Sequence, residues 1–401
     1  MSIRPNADTD GGASSDERPQ FAVIAAEATP YWLHVLGRIS RELPEAGLHS
    51  IFAHAGLTMP WQVQLDGDIR PVTFPGLSLT ASPVSRFSLP LYRRIRDYLA
   101  EHRIRMVILL GYNSLTHLLL MHWARRQGVP LLLSGDSNIF CESGHGLVLR
   151  TAKRWYIRHV LRVVSGLMPM GTCGRAYFRQ YADHDVPSFL FPYEPDYERL
   201  IACDPAARQA FMPRYGLDPA RRRLLYCGRL VPLKRVDTLI DAFGRIADFR
   251  PDWDLVIAGD GPLRQALEAR VAEHTRHRIK WLGFLQFAEL VSCYHSCDAL
   301  VMPSEFEPWG LVINEAVASG LPVVAAEGVG AAVELVRHGT NGFLVPARDV
   351  GALRDALLEV TEVDRNLRMR AAAPEILRQW RAAADPVDGV RQALSRFLVT
   401  L

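Results

Sequence analysis

Short apolar runs that alternate with helical patterns, in two successive series, most constrain the fold of this chain. Each run is long enough for one strand. The runs of the first series are at residues 21–26, 49–53, 106–110, 131–134, 167–170 and 189–191. Those of the second series are at 224–227, 254–258, 280–282, 299–303, 322–325 and 342–345. Strands that alternate with helices form parallel sheets, so the sequence predicts two α/β domains.

The helical patterns and two prolines define the domain organisation. The predicted helices are at residues 32–45, 91–102, 115–127, 147–164, 175–181, 236–248, 263–274, 287–297, 311–319 and 350–360. Pro192 and Pro195 oppose regular structure, and we place the domain boundary there. The predicted units are a disordered tail (1–18), two Rossmann-like domains (19–195 and 196–377) and a C-terminal helix (378–401). Open α/β sheets bind ligands at the carboxyl ends of their strands, so we expect a cleft between the two domains.

Composition excludes several classes of protein. The formal charge of +3 is too small to favour nucleic acid as a partner. Six cysteines show no Cys-x-x-Cys pair and no zinc-ligand spacing, which is typical of reduced cytosolic thiols. The polar N-terminus contains no signal-peptide core, and no run of about 18 apolar residues exists. We therefore expect a cytoplasmic protein.

Two carboxylates flank the start of one predicted helix. Glu307 lies in the turn after the strand at 299–303, and Glu315 lies a little more than one turn inside the helix. Free N–H groups at a helix N-terminus suit an anion such as a diphosphate. Glu307 is then the candidate catalytic residue that can reach the sugar of a nucleotide-sugar, and Glu315 can reach its ribose. The alternative is that Glu307 only complements the helix dipole and that Glu315 is solvated.

Three residues at the start of this helix, Trp309, Gly310 and Leu311, would turn their backbone N–H groups toward the sugar and phosphate of a ligand bound there. Two cations, Arg229 and Lys234, follow the strand at 224–227. Cations five residues apart in a loop can bind a diphosphate and stabilise the charge that develops on it. The alternative for both is an ordinary solvated surface charge.

The spacing of Glu307 and Glu315 closely resembles the Glu-x₇-Glu signature of retaining glycosyltransferases of family 4. Segments 227–237, 258–263, 320–325 and 341–345 resemble other conserved parts of that family in the same order. The match covers about residues 222–358 and is weak over 20–195. It implies the GT-B fold, in which two Rossmann-like domains face a central cleft. It also implies that Arg229 and Lys234 bind the donor diphosphate and that the turn at 283–285 contacts the nucleobase.

The resemblance implies transfer of a hexose from a nucleotide-sugar to a saccharide or polyprenyl-linked acceptor, with retention of configuration, in exopolysaccharide or cell-surface glycan synthesis. It also implies that the C-terminal helix crosses back to the acceptor-side first domain. We expect no metal and no other cofactor, because Arg229, Lys234 and the helix N-terminus supply positive charge. A sugar-nucleotide epimerase with the same fold and a non-catalytic sugar-nucleotide-binding subunit remain alternatives.

The first domain departs from the family at two places. The turn at 26–32 lacks the glycine pair found in many members, so the local phosphate or acceptor geometry differs. Asp136 stands where many members have a histidine, which makes it the candidate catalytic residue on the acceptor side. Asp136 is equally consistent with a turn residue, and His145 is a weaker candidate of the same kind.

A basic segment lies in the first domain. No acidic residue occurs between Glu142 and Asp183, and the predicted helix at 147–164 interleaves arginines such as Arg150, Arg154 and Arg158 with apolar residues. Basic amphipathic helices bind anionic lipid, so peripheral contact with the inner face of a membrane is one interpretation. The other is a surface helix whose polar face is rich in arginine.

Overall fold

The computed structural model describes residues 18–53, 60–61, 63, 67–74, 89–142 and 147–398. The predicted disordered tail, except for residue 18, lies outside the described residues, and so does His145.

The first sheet has six parallel strands in the order β3-β2-β1-β4-β5-β6. The strands are β1 Gln20–Ala25, β2 Gly47–Phe52, β3 Pro71–Thr73, β4 Met106–Leu110, β5 Leu131–Gly135 and β6 Gly166–Pro169. The helices are α1 Pro30–Glu42, α2 Leu89–Glu101, α3 Leu115–Gln127, α4 Leu147–Val163 and α5 Thr172–Arg179. Helices cover both faces of the sheet, and this is why β2 is buried along its whole length.

The second sheet also has six parallel strands, in the order β12-β11-β10-β7-β8-β9. The strands are β7 Arg222–Cys227, β8 Trp253–Ala258, β9 Ile279–Gly283, β10 Ala299–Met302, β11 Val323–Ala326 and β12 Gly342–Val345. The helices are α6 Tyr197–Ile201, α7 Pro205–Arg214, α8 Val236–Ile246, α9 Arg264–Arg270, α10 Phe287–His295, α11 Leu311–Ala318, α12 Gly330–Leu335, α13 Val350–Val360, α14 Val363–Ala383 and α15 Pro386–Phe397. The two predicted parallel sheets are confirmed.

Two local predictions about strands are wrong. The strand β3 was not predicted, because three half-buried residues are too short for a clear apolar run. The run at 189–191 is not a regular strand. Its backbone instead forms isolated hydrogen bonds to the edge of β6, from Phe189 N to Leu167 O (2.9 Å) and from Phe191 N to Pro169 O (2.9 Å).

The chain crosses between the two sheets twice, after Phe191 and again between α14 and α15. The helix expected from residue 378 is α15, which begins only at Pro386, because α14 continues to Ala383 against the second sheet. Asp385 caps α15 by accepting from Val387 N (2.7 Å). The apolar face of α15 packs in the same cluster as the apolar face of α1. In the part of the chain that the structure describes, no helix is both long and apolar enough to span a bilayer.

Arg38 on α1 links both crossings. Its guanidinium donates to Glu194 Oε1 (2.6 Å) in the first crossing and to Asp385 Oδ2 (2.9 Å) in the second. It also bonds to Glu42 Oε1 (2.8 Å). Only 13% of the Arg38 side chain and 4% of the Glu194 side chain are exposed. Loss of one member of a buried ion pair leaves the other charge without compensation, so this group holds both connections against the first domain.

We expect Arg38→Ala to destabilise the protein by about 3 kcal/mol, because the buried carboxylate of Glu194 loses the guanidinium and is left with His34, whose Nε2 is 3.6 Å away. The measurement is the midpoint of thermal unfolding at neutral pH. Arg41→Ala is the matched control, because Arg41 is an exposed arginine of the same helix. Equal midpoints for the two variants would contradict the structural role of Arg38.

Candidate active site

A cavity of about 350 Å³ opens at the carboxyl ends of β1, β4 and β5. Its lining combines aromatic, amide and carboxyl side chains, including Tyr31, Tyr193, Asn113, Glu27 and Asp136. The rings of Tyr31 and Tyr193 meet edge to face, with centroids 4.8 Å apart. Aromatic faces and polar groups in one cavity can bind a sugar ring and its hydroxyls.

The loop that carries Glu307 connects β10 to α11 and lies on the second domain. Glu307 N donates to Gly328 O (3.1 Å), and Glu307 O accepts from Gly330 N (3.2 Å). Gly310 begins α11 with φ of 92°, a left-handed conformation that favours glycine. A β-carbon on Gly310 would lie only 2.8 Å from Val329 Cγ1. In the described chain no acceptor faces the N–H groups of Trp309, Gly310 and Leu311.

Lys234 and Glu307 form an ion pair between Nζ and Oε2. Lys234 ends the turn that follows β7, so the two charged residues come from two adjacent strands of the sheet. The side chains are only 13% and 18% exposed, so water screens this pair less than a surface pair. The alternative interpretation of Lys234 as an ordinary solvated surface charge is therefore wrong. Any anion that binds to Lys234 must compete with Glu307.

Arg229 lies beside the same turn and is exposed. Its carbonyl accepts from Tyr226 Oη (2.9 Å), which fixes the backbone at the end of β7. The described residues offer no ion-pair partner to the Arg229 guanidinium. Of the two predicted cations, one therefore pairs with Glu307 and the other faces solvent.

Glu315 is buried rather than solvated, with only 7% of its surface exposed. Tyr294 Oη donates to Glu315 Oε2 (2.6 Å). Burial raises the pKa of the Glu315 carboxyl from its ordinary value of 4.5 to about 7, and the hydrogen bond from Tyr294 opposes this shift. The two glutamates of the motif thus differ, since Glu307 is ion-paired whereas Glu315 resists ionisation.

Trp309 anchors the loop to the core of the second domain. Its Nε1 donates to Asn314 Oδ1 (3.0 Å), and Asn314 Nδ2 donates to Tyr197 Oη (2.8 Å). Its ring packs against Trp380, with centroids 5.6 Å apart. These contacts give the Trp309 side chain a structural role. Sequence reasoning missed Asn314, although a polar residue within the apolar helix was a usable signal.

Asp136 follows β5 and lies in the cavity wall. Burial in the cleft raises the pKa of its carboxyl, and the charge of Glu307 raises it further. The two candidate catalytic carboxylates are thus close enough to interact across the cleft. Sequence reasoning missed Tyr31 and Tyr193 beside Asp136, because their chain positions carry no motif.

The first domain also reaches the turn at 283–285, where the family resemblance implies nucleobase contact. The ring of Trp61 packs against Phe284, with centroids 4.9 Å apart. Gln286 Nε2 donates to Pro60 O (2.8 Å) beside it. These contacts place first-domain residues at the edge of the expected nucleotide site.

Comparison with known proteins identifies the family. The family model for glycosyl transferases group 1 matches residues 207–375. A GDP-mannose-dependent alpha-(1-6)-phosphatidylinositol monomannoside mannosyltransferase of Mycobacterium tuberculosis is 31% identical over 306 residues, or 72% of this chain and 75% of the relative. An uncharacterized glycosyltransferase of Methanocaldococcus jannaschii is 38% identical over 136 residues, but that match spans only 34% of either protein.

A solved structure has the same fold. The structure of Anabaena HepE in complex with UDP and glucose superposes with a TM-score of 0.71, covering 96% of this chain and 100% of that protein at 19% identity. The predicted GT-B fold is therefore confirmed. The chain belongs to the glycosyl transferases group 1 family, which makes it a glycosyltransferase.

The raised pKa of Glu315 predicts how stability changes with pH. Below about pH 4.5 the carboxyl is protonated in both the folded and unfolded states, so it does not lower the free energy of unfolding. Between pH 4.5 and about 7 only the unfolded state ionises, and stability falls as pH rises. We expect Glu315→Gln to remove this loss, which reaches roughly 3 kcal/mol above pH 7.

The measurement is the unfolding midpoint of Glu315→Gln and wild type from about pH 4.5 to about pH 8. The exposed Glu45→Gln serves as the control. A difference between Glu315→Gln and wild type that does not change with pH would contradict the raised pKa.

Proposed function

We propose that the protein transfers a hexose from a nucleotide-sugar to an acceptor hydroxyl with retention of anomeric configuration, as in family 4 glycosyltransferases. The ion pair between Lys234 and Glu307, beside the open N-terminus of α11, is the observation that best supports this proposal. It joins a cation suited to a diphosphate and a carboxylate suited to a developing sugar cation.

In this proposal the donor binds mainly to the second domain. Arg229, Lys234 and the N–H groups at the start of α11 bind the diphosphate. They stabilise the negative charge that grows on it as the bond to the sugar breaks. The ionised carboxylate of Glu315 accepts hydrogen bonds from the ribose hydroxyls. Because protein groups supply the positive charge, we propose that no metal is required and that transfer proceeds in EDTA.

Glu307 acts on the sugar in this mechanism. As the sugar carbon becomes positively charged, the adjacent carboxylate lowers the energy of the transition state more than that of the ground state. The acceptor hydroxyl enters from the cavity of the first domain. Asp136 lies there with a raised pKa, which suits a group that binds the hydroxyl and accepts its proton.

The names of two similar proteins support particular donors for this proposal. The mycobacterial relative is named as GDP-mannose-dependent, and the Anabaena structure contains UDP and glucose. We propose a UDP- or GDP-hexose donor and a saccharide or lipid-linked acceptor of a bacterial exopolysaccharide or cell-surface glycan.

Two alternative functions make different predictions. A GT-B epimerase would interconvert donors without an acceptor. A non-catalytic binding subunit would bind nucleotide without releasing a sugar. Release of a sugar therefore distinguishes the proposed glycosyltransferase from both alternatives.

The ion pair predicts opposite effects of two substitutions on nucleotide affinity. Lys234→Ala should weaken binding of UDP or GDP about tenfold or more, because a charge-assisted hydrogen bond contributes about 1.5–3 kcal/mol. Glu307→Gln should strengthen that binding, because it frees Lys234 from its internal partner. The same Glu307→Gln change should lower kcat by about 100-fold, as expected for a contact made mainly in the transition state.

Calorimetric titration with UDP and GDP, together with steady-state kinetics, measures both effects. Glu305→Gln is the matched control, because Glu305 is in the same loop but pairs with Arg348. Parallel losses of nucleotide affinity in Lys234→Ala and Glu307→Gln would show that the two residues do not compete.

We also propose that the protein contacts an anionic membrane through a surface on α4. Trp155 and Leu149 on α4 are 71% and 55% exposed, and Arg150 and Arg154 are exposed beside them. The rest of the helix is structural, since Ile157, Val160 and Leu161 are buried. Arg158 also faces the protein, with Nε 3.4 Å from Tyr181 O. The proposed lipid contact is therefore limited to the first half of α4.

We expect the double substitution of Arg150 and Arg154 by Glu to abolish sedimentation with phosphatidylglycerol vesicles at low salt. Wild type should sediment, and high salt should release it. The control is charge reversal of Arg208 and Arg368, two exposed arginines of the second domain. Equal loss of binding in the control would show a general effect of net charge, and no wild-type binding would reject the membrane contact.

A further inference from the structure

Asn138 of the first domain contacts the catalytic loop of the second domain. It follows β5 and is only 2% exposed. Its Nδ2 donates to Pro308 O (2.8 Å) and lies 3.2 Å from Glu307 O. These two carbonyl groups are on the backbone that carries the Glu307 side chain.

The orientation of the Asn138 amide is determined by a third contact. Asn138 Oδ1 accepts from Phe140 N (2.9 Å), so the amide nitrogen must face the two carbonyls. Gly330 leaves room for this approach. A β-carbon there would lie 2.4 Å from Pro308 O and 3.1 Å from Asn138 Nδ2. The site therefore requires one acceptor and one donor at fixed positions, a combination that a side-chain amide provides.

A second contact joins the domains close by. Glu334 on α12 accepts from Thr172 N (2.5 Å) and Thr172 Oγ1 (2.6 Å) at the start of α5. Only 9% of Glu334 is exposed. Gly330 and Glu334 are on one helix, and Gly330 N donates to Glu307 O (3.2 Å), so the helix that Thr172 contacts is itself bonded to the Glu307 loop.

We propose that Asn138 is a positioning residue that holds the Glu307–Pro308 backbone only when the two domains are together. Donor binding and orientation of Glu307 then depend on different residues. The second domain binds the nucleotide. The Asn138 contact from the first domain holds the backbone from which the Glu307 carboxylate acts on the sugar, once donor binding has released that carboxylate from Lys234. This inference rests on the proposed function, because it assigns Glu307 to the donor sugar.

Two substitutions test it. Asn138→Leu removes both polar atoms, whereas Asn138→Asp keeps the size but places a carboxylate oxygen against two carbonyl oxygens. Both should lower kcat for hydrolysis of UDP-glucose or GDP-mannose by about 10- to 100-fold. The dissociation constant for UDP or GDP should change less than about twofold, because the second domain binds the nucleotide. This unchanged affinity also shows that the variants are folded.

The pH profile provides a readout that a purely structural role would not change. A protonated carboxyl can donate to a carbonyl, so Asn138→Asp should recover activity relative to wild type as pH falls from about 8 to about 5.5. Asn138→Leu should show no such recovery. The control is Ile139→Ala, because Ile139 is the adjacent residue and is 41% exposed.

Three results would overturn the proposal. Unchanged kcat in both variants would show that Asn138 does not position Glu307. A loss of nucleotide affinity that parallels the loss of kcat would show a structural role. Wild type that hydrolyses neither donor and transfers from neither would reject the proposed function, and this inference with it.

Discussion

The ion pair between Lys234 and Glu307 is the interaction on which the donor site depends. Both side chains are mostly shielded from water, so neither charge is well solvated without the other. In the proposed mechanism, a nucleotide diphosphate would offer Lys234 a stronger partner, because Arg229 and the N-terminus of α11 would bind the same anion. The pair would then separate, and the Glu307 carboxylate would become available as the sugar arrives beside it. We propose that donor binding activates the carboxylate in this way without a metal ion.

Burial gives the two glutamates of the motif different chemistry. Glu315, inside α11 and bonded by Tyr294, has a pKa near neutrality, so its charge responds to small changes in its surroundings. Ribose hydroxyls that donate to it would favour the ionised form and add to donor affinity. Glu307 is instead held by Lys234 in a loop with a fixed backbone. In the proposed function, the motif therefore assigns binding to Glu315 and catalysis to Glu307 through their positions relative to one helix.

Periodicity in the sequence predicted both sheets, because buried parallel strands produce apolar runs that a short window detects. It missed β3, which is half-buried, and it misread the apolar run at 189–191, which lies beside β6 without joining the sheet regularly.

The rule that ligands bind at strand carboxyl ends placed Lys234 and Glu307, which are 73 residues apart in the chain, at the same edge of the second sheet. It could not predict their ion pair or the burial of Glu315, which depend on side-chain packing. The contact of Asn138 with the Glu307 loop could not be predicted for the same reason, since its partners are 169 and 170 residues away in the other domain.

The stereochemistry of donor hydrolysis tests the central claim most directly, because water replaces the unidentified acceptor. Wild-type protein in EDTA would be mixed with UDP-glucose or GDP-mannose, and proton NMR would record the anomeric signal of the first sugar released. The account predicts that the α-anomer appears first from these α-linked donors, before mutarotation equilibrates the product. Initial release of the β-anomer, or hydrolysis that begins only after Mg²⁺ or Mn²⁺ is added, would contradict it.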